Sequence, residues 1–483
     1  MNKRLVFASL GNILLIEALL LLVPLFVAFY YQESWLNVSS FLKTMGLLLA
    51  IGFTLKAWMP KQARYTLKEG FAITALAWFF LAFFGGLPFV FAGEIPSVID
   101  ASFEMASGFT TTGASILTDV EALSQSMLFW RSFSHLIGGM GVLVFAFAIL
   151  PETGQGSVNI MKAEVPGPEF GKVDSKNHRS AQILYAIYLV MTLVLVLLLM
   201  LVGLKPFDAM IHAFGAAGTG GFSNKAQSVG AFNNPIVEYI LAVAMFLFGV
   251  NFNLYYFVLK KRFKAFFKDQ ELQLFTMVVG LATLAIMLNL SPGYHSIEQL
   301  FRDAFFTVTT IISTTGYATA DFGQWPLFSH IVLLMIMFTG AMAGSTAGGI
   351  KISRLLVYLK TIQAEIWRSI NPRRVKAIVI NGKAMEKSYL LNVFIYLGVY
   401  IFLFAMAVLL VSISQNDFLT AFSAVSATIN NIGPGLGLVG PTGSFASFTP
   451  FAKVVLTIVM IAGRLEIYPV LMLLMPSVWK EKN

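Results

Sequence analysis

Four glycines, Gly113, Gly221, Gly316 and Gly433, each close a segment that opens on a turn-prone residue followed by alanine. The segments run from Asp100-Ala101 to Gly113, Asp208-Ala209 to Gly221, Asp303-Ala304 to Gly316 and Thr420-Ala421 to Gly433, so each glycine stands 13 positions after the first residue. Their strips read Gly108-Phe109-Thr110-Thr111-Thr112-Gly113, Ala216-Ala217-Gly218-Thr219-Gly220-Gly221, Ile311-Ile312-Ser313-Thr314-Thr315-Gly316 and Thr428-Ile429-Asn430-Asn431-Ile432-Gly433. The chemistry open to such strips is replacement of a cation's hydration shell by backbone carbonyls. Successive carbonyls must face one narrow lumen, which needs unusual dihedrals, and glycine reaches positive φ without steric cost. The candidate cation-binding set is Thr111, Thr112, Gly113, Thr219, Gly220, Gly221, Thr314, Thr315, Gly316, Asn431, Ile432 and Gly433. The second strip departs from the first and third at Gly220, and the fourth departs at Asn431 and Ile432. Any single glycine here reads equally as close helix packing in a membrane span. Four at one offset read as a filter.

Elements must hold these strips at membrane depth. The chain has 483 residues, 57% hydrophobic and only 12% charged, with a mean hydropathy of +0.77; a soluble domain carries about a quarter charged residues. The class is an all-α polytopic membrane protein. A span needs roughly 20 apolar residues, and ten candidates occur: 6–31, 39–58, 70–93, 127–150, 181–204, 235–259, 272–291, 327–350, 388–413 and 450–476. Four short re-entrant helices fall between them, near 100–111, 208–219, 303–314 and 420–431. The first span follows Met1-Asn2-Lys3-Arg4 as a signal peptide would, but lacks a small-residue cleavage site and reads as a retained helix.

Lys and Arg fix the orientation. With the first terminus cytoplasmic, the basic segments Lys56–Lys68, Lys162–Arg179, Lys260–Lys268, Lys351–Lys387 and the tail all lie inside, leaving Lys205, Lys225 and Arg302 outside, as the positive-inside rule demands. Both termini are then cytoplasmic. The net charge of +9 follows from topology and anionic lipid headgroups, so nucleic acid is not an expected partner. Every re-entrant segment lies between an outward and an inward span, so the four units share one orientation. Inverted-repeat transporters need opposite orientations; here fourfold pseudo-symmetry about a central pore is expected. The expected divisions are a two-span unit at 1–69, membrane–pore–membrane repeats at 70–150, 181–268, 269–354 and 388–483, and cytoplasmic linkers at 151–180 and 355–387. Each short helix would aim the negative end of its dipole at the pore, favouring a cation there. Asp100, Asp208 and Asp303, with Thr420 in the fourth copy, are expected to cap the helix starts; cation attraction at the outer mouth is the alternative.

Cysteine is absent, which excludes disulfides, thiolate metal sites and cysteine nucleophiles. The five His show no metal spacing, and no phosphate-loop or nucleophile-elbow motif is present. The chain is expected to be no enzyme and to hold no cofactor.

The strips resemble those of the Trk/Ktr/HKT superfamily of potassium transporters, and the resemblance spans nearly the whole chain. Thr314-Thr315-Gly316-Tyr317-Ala318 is close to the potassium-channel filter signature; Trp130-Arg131-Ser132 with Gly138-Gly139-Met140-Gly141, and Gly463-Arg464-Leu465-Glu466, look like family blocks. The two spans before the first repeat match the extra pair of the TrkH branch, the membrane subunits of bacterial Trk systems. The resemblance implies potassium uptake across a bacterial cytoplasmic membrane, a homodimer, and regulation by a cytosolic nucleotide-binding TrkA ring. It also implies that glycine at all four key positions marks potassium as the substrate, and that serine at Gly113 would go with sodium permeation. A potassium symporter coupled to sodium or protons is the alternative.

Two further features belong to the pore on this reading. The run Phe338–Lys351 is rich in small residues and makes a poor helix. The resemblance makes it an intramembrane gate below the filter, with Gly344, Ser345, Thr346, Gly348 and Gly349 at its centre; Gly340, Gly344 and Gly348 at small-xxx-small spacing allow close packing instead. Arg464 lies in an apolar stretch read as helix from Val454 to Leu474, where a charge is expensive and faces a cavity or a partner. It is expected to face the pore and limit cation flux, with a salt bridge to another repeat as the alternative. Glu466, two positions on, points to a different helix face. The segment Pro151–Arg179 and the basic residues Arg368, Arg373, Arg374 and Lys376 form the expected partner surface.

Overall fold

In a computed structural model, residues 1–60, 65–141, 177–371 and 377–479 are described. The segment 151–176, residues 142–150 of the expected span 127–150, and Arg373, Arg374 and Lys376 lie outside the described residues. The regular structure of the described residues is helical apart from one two-stranded antiparallel hairpin, Val379–Ile380 with Lys383–Ala384. It is an all-helical polytopic membrane protein.

Six described helices are long and apolar enough to cross a membrane: Lys3–Tyr30, Trp35–Lys56, Leu67–Ala92, Gln182–Leu201, Gln270–Gly293 and Lys387–Ser412. A seventh is obtained if Pro235–Phe248 and Phe252–Leu259, bent by 93°, count as one span. Two of the other expected spans are interrupted. The stretch expected as 327–350 is helical only over Leu327–Thr339, and resumes at Ile352–Ile370 after a non-helical segment. The stretch expected as 450–476 is helix over Pro450–Arg464 and again over Tyr468–Leu473. Glu466 at φ 55° and Ile467 at φ 71° break it, so Arg464 ends a helix rather than lying mid-span. Hydropathy counts apolar residues and is blind to such breaks.

Four short helices stand where they were expected: Val98–Phe109, Pro206–Gly218, Ile297–Ile312 and Phe418–Ile429. They start earlier than read, and the capping assignments are corrected. Ser97, Ser296 and Asp417 are the N-caps, accepting from the N–H of Asp100, Gln299 and Thr420; the second helix begins instead with Pro206 in its first turn. A serine hydroxyl three residues upstream satisfies a free N–H, and proline has none to satisfy. Hydrogen bonds from the Thr420 hydroxyl and N–H hold the Asp417 carboxyl below its usual range. The three aspartates serve elsewhere: Asp100 pairs with Lys453 at 2.7 Å, Asp208 accepts from Asn224 at 2.6 Å, and Asp303 accepts from Tyr294 at 2.9 Å.

The helix after each strip packs on the short helix of the next unit. Gln125–Gly139 lies on Pro206–Gly218, Pro235–Phe248 on Ile297–Ile312, Leu327–Thr339 on Phe418–Ile429, and Pro450–Arg464 back on Val98–Phe109. The four units therefore close a ring. The two N-terminal helices stand outside it, packed on each other and on Leu67–Ala92.

Candidate cation filter and the loop beneath it

Each short helix ends in the same way. The residue two before the key glycine takes the left-handed conformation: Thr111 at φ 54°, Thr219 at 56°, Thr314 at 60° and Asn431 at 54°. The next N–H reaches back five residues, Thr112 to Ser107 O, Gly220 to Gly215 O, Thr315 to Thr310 O and Ile432 to Ala427 O, each at 2.8 Å. These are Schellman-type ends, in which glycine or asparagine is the usual left-handed residue. A β-branched residue at positive φ is a steric outlier, and such strain persists only where the surroundings over-determine it. Three threonines are held this way, each buried.

The key glycines then turn left-handed as well, with φ of 79° at Gly113, 76° at Gly221, 82° at Gly316 and 96° at Gly433. Their Cα atoms lie against the carbonyl of the neighbouring strip. A methyl group at Gly113 would collide with Gly220 O, one at Gly221 with Thr315 O, and one at Gly316 with Ile432 O; at Gly433 it would come 2.7 Å from Thr112 O. The sequence of contacts runs first strip to second, second to third, third to fourth and fourth to first, so the twelve candidate residues form one closed collar of backbone.

A cuff of side chains holds the collar. Tyr317, fully buried, donates to His212 O at 3.1 Å and Phe222 O at 3.3 Å, fastening the third strip to the second. Phe222, after the second key glycine, lies between the Arg131 guanidinium 3.9 Å from its centroid and the His135 ring stacked at 4.3 Å. The His135 ring also fills the space beside Gly220, where any Cβ would strike it. Arg131 pairs with Glu104 at 2.7 Å, both out of solvent, and Glu104 accepts from Ser115 Oγ and the Ile116 N–H at 2.9 Å each. In the fourth strip, Asn431 Nδ2 donates to Thr112 Oγ1 at 2.9 Å and Met460 O at 3.0 Å. None of His135, Glu104 and Asn431's bridging role was read from the sequence. The only signal was Arg131 and His135 spaced to share one helix face.

The Asp100–Lys453 pair closes the seam between the last and first units, with side chains 28% and 7% exposed. Lys453→Ala is expected to lower stability by about 1–2 kcal/mol, read as a fall in unfolding midpoint in detergent; an unchanged midpoint would deny the pair that role.

Beneath the collar, residues 340–351 form no helix, so small-xxx-small packing, which needs a helix, does not apply. The backbone turns left-handed at Gly340, Gly344, Gly349 and Lys351. The segment is tied on every side. Met342 N–H donates to Gly249 O at 3.1 Å, Gly344 O accepts from Phe252 N–H at 3.0 Å, and Ala343 N–H donates to the Glu271 carboxylate at 2.7 Å. Ser345 Oγ turns back to Met342 O at 2.7 Å. Gly348 lies against Asn430 O and within 3.0 Å of Asn431 Cβ, measured from where its own Cβ would stand, and its N–H donates to Thr314 Oγ1 at 2.8 Å. Lys351 Nζ bonds Ala347 O. Arg464 donates to Thr346 O at 2.5 Å, Gly138 O at 2.5 Å and Gly139 O at 2.7 Å. Glu466 pairs instead with Arg354 at 2.6 Å. The candidate gate residues Gly344, Ser345, Thr346, Gly348, Gly349 and Arg464 are thus in one place, below the third and fourth strips.

A family profile described as "TrkH: Cation transport protein" matches residues 39–481. The chain is similar to the Trk system potassium uptake protein TrkH of Salmonella typhimurium, 35% identical over all of both chains. It is 32% identical to the Trk system potassium uptake protein TrkG of Escherichia coli, over 99% of each. The crystal structure of the potassium transporter TrkH from Vibrio parahaemolyticus superposes with a TM-score of 0.88 at 33% identity, covering 99% of this chain and 100% of that one. These relatives are transport proteins, not enzymes.

Proposed function

Because the chain belongs to the TrkH family of cation transport proteins, we propose that it is the membrane subunit of a Trk-type potassium uptake system. Potassium, the substrate, passes through the central collar, where carbonyls of Thr111, Thr112, Thr219, Gly220, Thr314, Thr315, Asn431 and Ile432 with the four key glycines replace its water shell. The observation that supports this reading is the cyclic contact of each key glycine with the next strip's carbonyl, which leaves no space for a side chain at any of the four positions. Residues 344–349 and Arg464 act as the gate. The chain divides into a two-span unit at 1–69 and four repeats at 70–150, 181–268, 269–354 and 388–483.

Both termini lie in the cytoplasm of a bacterium, an orientation that the positive-inside distribution of Lys and Arg supports. A second copy of the chain and a cytosolic nucleotide-binding ring complete the assembly, the latter reached through 151–180 and 355–387. This chain contributes no nucleotide motif, so any nucleotide effect enters through the ring.

The test is cation flux through the reconstituted chain, with and without its ring, at varied potassium-to-sodium ratios. The expected reversal potential follows the potassium gradient alone; one that moves with sodium or protons would replace this reading by symport. Deleting 344–348 is expected to raise flux, and unchanged flux would remove the gate. Gly113→Ser is expected to admit more sodium, and unaltered selectivity would remove the first strip from the filter.

A further inference from the structure

The four left-handed residues at the foot of the collar are equivalent by position but not by partner. Thr219 Oγ1 donates to its own strip at Gly218 O, and Asn431 donates to Thr112 Oγ1 and Met460 O. Thr314 Oγ1 alone among these four accepts from the loop, through the Gly348 N–H at 2.8 Å. Both ends of this bond are buried. Gly348 is packed close against the fourth strip, where an added Cβ would collide with Asn430 O.

A threonine hydroxyl at the inner end of a carbonyl strip is a hard oxygen donor of the kind an alkali cation coordinates. The same lone pairs accept hydrogen bonds. An N–H and a cation both bring positive charge to that oxygen, so each weakens the other there. We propose that the Thr314 hydroxyl couples loop to filter: with the loop in place, it accepts the Gly348 N–H, and when the loop leaves, it turns to a potassium ion. The loop then does more than obstruct the exit, because it stands in for the innermost ion. Linkage makes the effect reciprocal: potassium at the foot of the filter loosens the loop, and the docked loop weakens potassium there. This inference rests on the filter and gate readings above.

The chain contains no cysteine, so Ser345→Cys introduces a single thiol, at a position 6% exposed in the docked loop. Its labelling by a water-soluble thiol reagent from the cytoplasmic side reports loop release. Raising potassium from absent to saturating is expected to speed labelling about tenfold, the change in population that the loss of one buried hydrogen bond corresponds to. With Thr314→Val added, labelling is expected to be fast without potassium and indifferent to it, because the Gly348 N–H has lost its acceptor. With Thr314→Ser, which retains the hydroxyl, the potassium dependence of labelling is expected to persist. Thr314→Ala removes the same acceptor with a smaller side chain and serves if the valine chain does not reach the membrane.

Labelling that ignores potassium while the reconstituted chain still conducts it would overturn the coupling alone. Labelling that depends on potassium equally with Thr314 and with valine would also overturn it, since the loop would then answer to another site. A chain that conducts no potassium, or one whose flux is unchanged by deletion of 344–348, would remove the filter or the gate reading and the coupling with it.

Discussion

Gly316→Ala is expected to reduce potassium flux at least about tenfold and to erase discrimination against sodium, while the protein still reaches the membrane. Two costs meet at this position. The backbone stands at φ 82°, where an L-residue other than glycine pays roughly 1–2 kcal/mol. The added methyl would also collide with Ile432 O and come 2.7 Å from Pro434 Cδ. Neither neighbour is a flexible side-chain end, so the third and fourth strips must separate. A carbonyl displaced by a fraction of an ångström no longer completes the shell around a dehydrated ion, and water re-enters. Reconstituted flux and reversal potentials under paired potassium and sodium gradients give the answer. Potassium selectivity indistinguishable from the parent chain would mean that Gly316 does not line the ion path. Gly433 has more room, with its closest approach at 2.7 Å from Thr112 O, so alanine there is expected to do less damage than at Gly316. That ranking is a second reading of the same measurement.

Arg464→Ala is expected to raise cation flux by about 10- to 150-fold where the loop limits it. The guanidinium holds Thr346 O from one side and Gly138 O and Gly139 O from the other. It thus bridges the loop of the third unit to the inner helix of the first. A charge-assisted bond of this kind contributes about 1.5–3 kcal/mol, and losing the one to Thr346 shifts loop release by the corresponding factor. The positive charge is also removed from beneath the filter, which acts in the same direction. The measurement is flux per molecule in the membrane, with the amount of protein determined on the same vesicles. Unchanged flux per molecule, or loss of the chain from the membrane, would assign Arg464 a purely structural part in joining the two units.

The repeated offset of the glycines was legible because the collar demands positive φ at the close of each strip and glycine meets that demand locally. The left-handed Thr111, Thr219 and Thr314 were not legible. Threonine disfavours that conformation on its own, and only the closed ring of neighbouring strips imposes it. The same reason hid the break at Glu466 and Ile467. Neither residue is a helix breaker, and the turn is held by the Glu466–Arg354 pair, whose partners lie 112 positions apart. The aspartates were misread as caps because a carboxylate near a helix start has that bias, whereas Ser97 and Ser296, a few residues earlier, are the groups that accept the first N–H bonds. The small-residue run at 338–351 was read as a poor helix, and from Gly340 onward it is none. What its sequence could not give was the contact of Gly348 with Thr314, which depends on how two units meet.

The ring closes through the helix Pro450–Arg464, where Lys453 reaches Asp100 and Arg464 reaches Gly138, across 353 and 326 residues of chain. Everything made before that helix is an open arc. A ribosome delivering this protein into the membrane therefore passes through no stage at which three finished quarters enclose a cation path of their own. The collar closes only once Pro450–Arg464 is in place, together with the arginine that bonds the loop at Thr346 O. On the proposed reading of the collar as a cation path, a cell that maintains an ion gradient is spared a leak from every unfinished copy.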